Sequence, residues 1–316
     1  MIHINKYNRS YFDLVLDTSK EVKTRVIERP GSWLPDAEMS QLLDDMRLVV
    51  RNSLTLQSLD YGVLSGDKER LENCIITVLY DKQSGKPIAF NALAIMNVNL
   101  RNENIEVLHL GLVMVDPNFR TKGLSWVLYG LTCMLIFIRN HMRPIWISNV
   151  TQVPAIIGKV TESFADVFPA PEESSRRSFE KLRIASQIMQ HYRHVFGVGK
   201  DAEFDEEHFI IRNAYTGGSD NLKKSFEQAQ QHRNNKYNEF CSSQLDYQRG
   251  DDFIQLGQFN INVAKKYLLR SVPRSSLPAL VYKILFLFLS SLMLPVLYWF
   301  SSSRQMGELR PWKQKN

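Results

Sequence analysis

Two hydrophobic periods alternate along this chain, and together they predict its elements. Between Pro35 and Leu56 the apolar residues Met39, Leu42, Leu43, Met46, Val49 and Val50 recur at three-to-four spacing, which predicts a helix with one buried face. Cys74–Tyr80 is rich in β-formers, and the turn residues Asp81 to Pro87 lead from it into Ile88–Val98, the signature of a hairpin. A further strand is predicted over Ile105–Val115, a helix over Trp126–His141, a strand over Pro144–Ser148 and a helix over Val153–Phe164. A strand-like segment, Tyr11–Leu16, opens the chain, and Glu207–Ile211 is a candidate late strand. Between them, an insertion over 166–203 carries Phe179, Leu182, Ala185, Ile188, Met189, Tyr192, Val195 and Phe196 on one helical face, which reads as a packing surface. Tyr215 to Arg249 is polar, and the pattern there predicts an exposed helix and loop.

The end of the chain breaks this pattern. Leu277–Phe300 is a 24-residue apolar run interrupted by Lys283, two prolines and a pair of serines. A bilayer span needs about 20 such residues. Arg270 and Arg274 precede the run, Arg304, Arg310, Lys313 and Lys315 follow it, and Tyr282, Tyr298 and Trp299 stand near its ends. The expectation is a transmembrane or membrane-embedded segment at 277–300 with a basic tail at 301–316. The competing reading is a helix buried in a soluble core.

Bulk properties add little to this. The chain has 316 residues, 44% hydrophobic and 23% charged, as in ordinary folded proteins. A net charge of +6 suits a polyanionic ligand or an anionic membrane surface. No nucleic-acid module accompanies the charge, which argues against a nucleic-acid partner. Cys74, Cys133 and Cys241 are far apart and lack metal-ligand spacing, so neither a disulfide framework nor a metal site is expected. The first residues lack the apolar core of a secretory signal.

The most informative stretch is Val113-Met114-Val115-Asp116-Pro117-Asn118-Phe119-Arg120-Thr121-Lys122-Gly123-Leu124-Ser125. An apolar strand enters a proline-marked turn, then a basic loop containing glycine, then a helix. The first N–H groups of a helix lack backbone partners and its dipole favours negative charge, so the arrangement makes an anion site. This stretch resembles motif A of the GNAT (GCN5-related N-acetyltransferase) superfamily, whose loop holds the pyrophosphate of coenzyme A. The resemblance covers about residues 60 to 165, and Ser125 departs from the glycine or alanine of that motif. It implies an α+β (α/β) fold, a GNAT-like mixed and mostly antiparallel sheet flanked by helices, with the hydrophobic helix appended at the C-terminus. On this reading residues 1–212 form the acyltransferase domain and 213–276 a polar extension.

The resemblance also implies roles. Arg120, Thr121, Lys122, Gly123, Leu124 and Ser125 would cradle the pyrophosphate of an acyl-CoA, whether acetyl-CoA or a longer ester. The backbone amide of Val113 would polarise the thioester carbonyl, and Val115 would pair with the pantetheine arm. His109 stands four residues before Val113, where the family often has a glutamate base, and an imidazole suits that work. Its ordinary alternative is a satisfied histidine in a buried strand; Glu106 has the opposite strand parity and is the weaker choice. The family's tyrosine acid falls on Lys159 and its preceding asparagine on Gln152. Lys159 would stabilise a thiolate or bind a phosphate, and an ordinary solvated lysine is the alternative. Tyr215 is a distant substitute for the acid.

No histidine is followed by Asp five residues later, no nucleotide-hydrolysing glycine loop occurs, and there is no Gly-x-Ser-x-Gly elbow. The expected function is therefore transfer of an acyl group from acyl-CoA to an amine acceptor. The apolar tail implies a lipidic or membrane-bound acceptor and a membrane-associated enzyme facing the cytoplasm. The alternatives are a silent acyl-CoA sensor or membrane scaffold, and an N-acyl amino acid synthase supplied by acyl carrier protein.

Overall fold

The computed structural model describes residues 11–53, 62–120, 123, 124, 126–217, 219–278, 280–282, 285 and 289. Its frame is a ten-stranded sheet. β1 (Asp13–Asp17), β2 (Val22–Glu28), β3 (Cys74–Asp81), β4 (Pro87–Leu100) and β5 (Glu103–Val115) follow one another antiparallel in chain order. β6 (Ile145–Thr151) joins parallel to β5, and β10 (Asp252–Phe259) lies antiparallel beyond β6. β7 (Ala165–Phe168) and β9 (Ile210–Arg212) pair with different stretches of β10, and β8 (Glu203–Asp205) closes that edge on β9. The sheet is mixed and mostly antiparallel, as the resemblance implies.

Helices cover both faces. α1 (Asp36–Ser53) buries the predicted stripe of Leu42, Leu43, Met46, Val49 and Val50 against Ile76, Val78, Phe90 and Ala92. α5 (Phe179–His191) shares that face and packs Ile184, Ala185, Ile188 and Met189 on Met96, Val98, Val107, Ile254 and Leu256. Its stripe is core, while Phe179 at its start is exposed. On the other face lie α3 (Thr132–Arg139), α4 (Pro154–Ser163) and α7 (Ile261–Lys266), around Leu93, Leu108, Ile147 and Phe259.

A π-helical turn, Val127–Leu131, runs directly into α3. Wider winding leaves helical carbonyls short of donors. The buried side chain of Asn91 on β4 donates to the Leu128 carbonyl, and Thr132 Oγ1 meets Thr77 Oγ1 at 2.7 Å. The irregular helix is thus tied to the sheet by polar groups.

Two sequence readings are corrected here. The strand next to β6 is β10, at 252–259, inside the stretch read as a polar extension, whereas Ile210–Arg212 pairs only briefly outside it. Gln255, Gly257 and Gln258 interrupt the apolar pattern of β10, and that masks it in sequence. Yet Gln255 is buried and bonds the Pro169 carbonyl at 3.0 Å. α6 (Asn235–Gln244) is likewise anchored, through buried Tyr237 and Cys241 against Ile157 and Phe253.

Among the described residues no helix is long and apolar enough to cross a membrane. Most of the predicted segment 277–300, and all of the tail 301–316, lie outside the described residues. The chain entering the segment packs on the domain: Ser276, just before it, donates its Oγ to the Thr18 carbonyl at 2.7 Å, and Leu280 within it is buried.

Candidate active site

The sheet opens at its centre. β5 and β6 pair only through Val107–Trp146, Leu108–Ile147 and His109–Ser148. Beyond His109, β5 keeps β4 on one side but has no pairing to β6, although both strands continue, to Val115 and Thr151. Just where they part, β5 carries a bulge: the register shifts between Asn91–Val113 and Leu93–Leu110, leaving Gly111 and Leu112 opposite Ala92. A Cβ on residue 111 would collide with the Ala92 carbonyl oxygen, so only glycine fits this bulge. Backbone groups released from a ladder in this way are donors and acceptors awaiting a ligand.

A cavity of about 780 Å³ lies over this opening, on the face carrying α1 and α5. Its walls include Ala92, His109, Gly111 and Leu112 on the sheet, and Tyr192 and Phe196 after α5. That volume suits a small organic substrate. His109 is buried, its Nδ1 is 3.0 Å from Ser148 Oγ, and its ring packs on Phe196 with centroids 5.1 Å apart. Burial lowers its pKa to about 4, so it is neutral at pH 7. Glu106, by contrast, points away to an ion pair with Arg29 at 2.8 Å. Cys74 also lines the cavity, but burial pushes its thiol up to about 12, too high for a nucleophile.

At the other end of the cavity stand Tyr215 and Asp252. Tyr215 donates its hydroxyl to Asp252 Oδ1 at 3.0 Å. Asp252 is buried, and burial, aided by neighbouring Asp251, raises its pKa to about 7. The structure therefore brings Tyr215 to the same cavity as His109, across more than a hundred residues of sequence. Asp252 is absent from the sequence reading. Its only local signal is a pair of acids before the run Phe253–Phe259, which is also the signature of an ordinary strand start.

The predicted anion loop leaves β5 through a short turn, Pro117–Phe119. Asp116 caps that turn, accepting from the Asn118 N–H at 2.9 Å, and Asn52 of α1 donates to its other oxygen at 2.8 Å. Arg120 is exposed. Gly123 has φ +66° and nothing within 4 Å of where a Cβ would stand, so the space above it is open. Leu124 is buried, and its carbonyl accepts from the N–H groups of Val127 and Leu128 as the helix begins. Thr121, Lys122 and Ser125 lie outside the described residues. Val113 and Val115 pack half-buried on the core below α3.

A second cavity, about 320 Å³, lies on this α3 face. Gly123, Trp126 and Tyr129 meet Lys159 of α4 there, beside Lys266 and Arg270 from the C-terminal helix. Lys159 thus stands with the loop and two further cations rather than with His109, which lines the cavity on the other face. Tyr267 closes one side: its ring packs against Gly130, leaving no room for a Cβ, and its hydroxyl donates to the Trp126 carbonyl at 3.0 Å. Gln152, aligned with the family's asparagine, is buried with neither side-chain polar atom bonded. No group of three metal-ligating side chains occurs among the described residues.

No family model matches the chain, and no curated protein matches it. Similar solved structures include a ribosomal-protein-S5-alanine acetyltransferase from Vibrio fischeri, at 15% identity over 44% of this chain and 74% of that one, with a TM-score of 0.28. A mutant spermidine/spermine N-acetyltransferase from Vibrio cholerae gives 13% identity over 47% and 81%, with a TM-score of 0.29. A conserved Enterococcus faecalis protein described as a probable N-acyltransferase gives 12% over 55% and 45%, also with a TM-score of 0.29. These overlays are partial, and they leave the functional argument to the geometry of the site.

Proposed function

We propose that this chain is a GNAT-type N-acyltransferase that moves an acyl group from acyl-CoA to an amine, the two substrates entering from opposite faces of the sheet. The observation that carries the reading is the gap between β5 and β6 beyond His109–Ser148, coupled to the glycine bulge on β5. A thioester threaded through that gap would find β5 backbone groups with no strand partner on that side, which is what polarising its carbonyl requires. The Val113 amide is assigned to the carbonyl oxygen and Val115 to the pantetheine arm. The open, left-handed Gly123 and the cations Lys159, Lys266 and Arg270 around the smaller cavity favour the phosphates of CoA at that end. This supports phosphate binding for Lys159 over stabilisation of the thiolate. Arg120 joins that end, and Thr121, Lys122 and Ser125 are assigned there from sequence alone.

In the reaction the amine lone pair attacks the thioester carbon, the C–S bond breaks with its electron pair going to sulfur, CoA departs as a thiolate that takes up a proton from solvent, and the amine's proton must leave. His109 is the proposed acceptor of that proton; burial keeps it unprotonated at neutral pH but also weakens it as a base, so it holds the proton only in passing, and Ser148 orients its ring. Attachment to a membrane through 277–300, with the catalytic domain on the cytoplasmic side and a lipidic acceptor, is a proposal that rests on sequence. Flotation of the full-length chain with anionic vesicles tests it, and a chain that stays in the aqueous layer removes it.

The test of the central reading is calorimetric titration of the full-length protein with acetyl-CoA and palmitoyl-CoA, beside an Arg120→Ala/Lys122→Ala variant. Binding weakened at least tenfold in the variant supports the loop assignment. A silent sensor would bind without releasing CoA thiol in the presence of amines. Failure of both esters to bind removes the acyl-CoA reading and leaves an acyl carrier protein donor or a scaffold.

A further inference from the structure

The large cavity has two chemically distinct ends. Cross-strand partners share one face of a sheet, so Leu256 with Ser148 and Ile254 with Val150 place alternate residues of β10 on the His109 face. Asp252 continues that series at the end of β10, and it lines the same cavity as His109. It stands four residues from Leu256, whose partner Ser148 also pairs with His109; at strand spacing this is roughly 13 Å along the sheet. At the level of the β5 bulge, two strand spacings, about 10 Å, separate the backbones of β10 and β5, and the gap that would take the thioester lies between them. Asp252 is therefore set back from the proposed acyl position by roughly one to two strand spacings.

Its surroundings fit a receptor for a different group. Asp251 next door is saturated: Arg249 holds both of its oxygens at 2.7 and 2.5 Å, and the N–H groups of Asn213 and Asp246 donate to it. The hydrogen bond that orients Asp252 comes from Tyr215. The wall carries Val150, Val153 and Val195 together with Thr151, His191 and His194. A carboxyl and a phenol at one end of this mixed polar and apolar cavity recognise a cationic head.

We propose that Asp252 and Tyr215 form an anchor for a second, cationic group of the acceptor, roughly one to two strand spacings from the nitrogen that is acylated. This deepens the acyltransferase reading and rests on it: the acceptor is an elongated molecule with positive charge at the far end. Asp252 is a binding residue here, and His109 keeps the reacting end. Burial sets the Asp252 carboxyl near neutrality, so a cation arriving at the anchor holds it ionised. The other titratable groups facing this cavity are His191 at the end of α5, Tyr192 and His194 after it, Lys224 on the Tyr215 side, Asp67, Glu69 and Arg70 at the wall before β3, and Cys74 of β3.

The experiment is titration of the full-length protein with 1,8-diaminooctane and with n-octanol, at pH 6 and pH 8, for wild type, Asp252→Asn and Tyr215→Phe. The expected result is diamine binding that tightens from pH 6 to pH 8 in wild type and weakens tenfold or more in Asp252→Asn, with octanol affinity unchanged. Tyr215→Phe should weaken the diamine less, and it supplies the test if the asparagine variant folds poorly. Where acetyl transfer to the diamine is measurable, Asp252→Asn should raise KM and leave kcat within about twofold. Equal diamine affinity in wild type and both variants, or a fall in kcat at constant KM, overturns the remote anchor. Acetyl-CoA and palmitoyl-CoA titrated into the same samples separate the two failures. If acetyl-CoA binds and diamine binding ignores Asp252, the anchor alone is wrong; if neither acetyl-CoA nor palmitoyl-CoA binds, the acyl-CoA reading falls.

Discussion

Two buried groups on one cavity wall make opposite demands on protons, and this gives a sharp test through stability. Asp252 has its folded pKa raised to about 7 from 3.8, while that of His109 is lowered to about 4 from 6.5. Between pH 4 and 7 the folded chain keeps a proton on Asp252 that the unfolded chain has released. Stability from this group is complete below pH 4 and is lost as pH rises through 7, at about 1.4 kcal/mol per pH unit. His109 has the opposite sign: from pH 6.5 down to 4 the unfolded chain binds a proton that the folded chain refuses, so its contribution is lost as pH falls. The two slopes cancel over most of the window. Asp252→Asn removes one of them. Relative to wild type, this variant should gain about 4 kcal/mol between pH 4 and pH 8, an order-of-magnitude figure from three pH units. Urea denaturation of both proteins at half-unit pH steps measures the difference, and other titrating groups drop out of the subtraction. A difference that stays flat across the window, to within about 1 kcal/mol, would refute the claim that burial keeps Asp252 protonated in the folded chain.

Other outcomes follow from particular contacts. Gly111→Ala should lower stability by about 1–3 kcal/mol and abolish acyl transfer, because the new Cβ meets the Ala92 carbonyl and forces the bulge to move; thermal melts and thiol release report each effect. Gly130→Ala should cost a similar amount by clashing with the Tyr267 ring, and Tyr267→Ala in the same chain should make the glycine substitution nearly neutral, a coupling that a double-mutant cycle reads directly. His109→Ala should reduce turnover by about a hundredfold while leaving acetyl-CoA affinity unchanged, and equal loss of both would assign the residue a packing role instead. Cys74 should resist alkylation at pH 8 in the folded protein and react in urea, since burial holds its thiol at about 12.

The pattern of apolar positions determined much of the fold. α1, the β3–β4 hairpin, β5, the helix after the loop, β6 and α4 all lie within a few residues of their predicted spans, because each buries one face and repeats its own period. β2 and β10 were hidden. β10 is covered on both faces and flanked by strands, so it tolerates Gln255 and Gly257 where the structure supplies bonds or close packing, and alternation vanishes. The loop after β5 and its left-handed glycine were legible for a local reason: turn chemistry and backbone freedom are written in adjacent residues. What tertiary structure alone decided is the assembly of the site. That β5 and β6 part after His109, and that Lys159 faces a different cavity from His109, depends on strand pairing and helix placement over the whole sheet. Asp252 reaches that cavity on β10 and Tyr215 on the segment after β9, both more than a hundred residues from His109 in sequence. Their proton affinities are also set by the fold, since burial is a property of everything packed around a group and no window of sequence contains it.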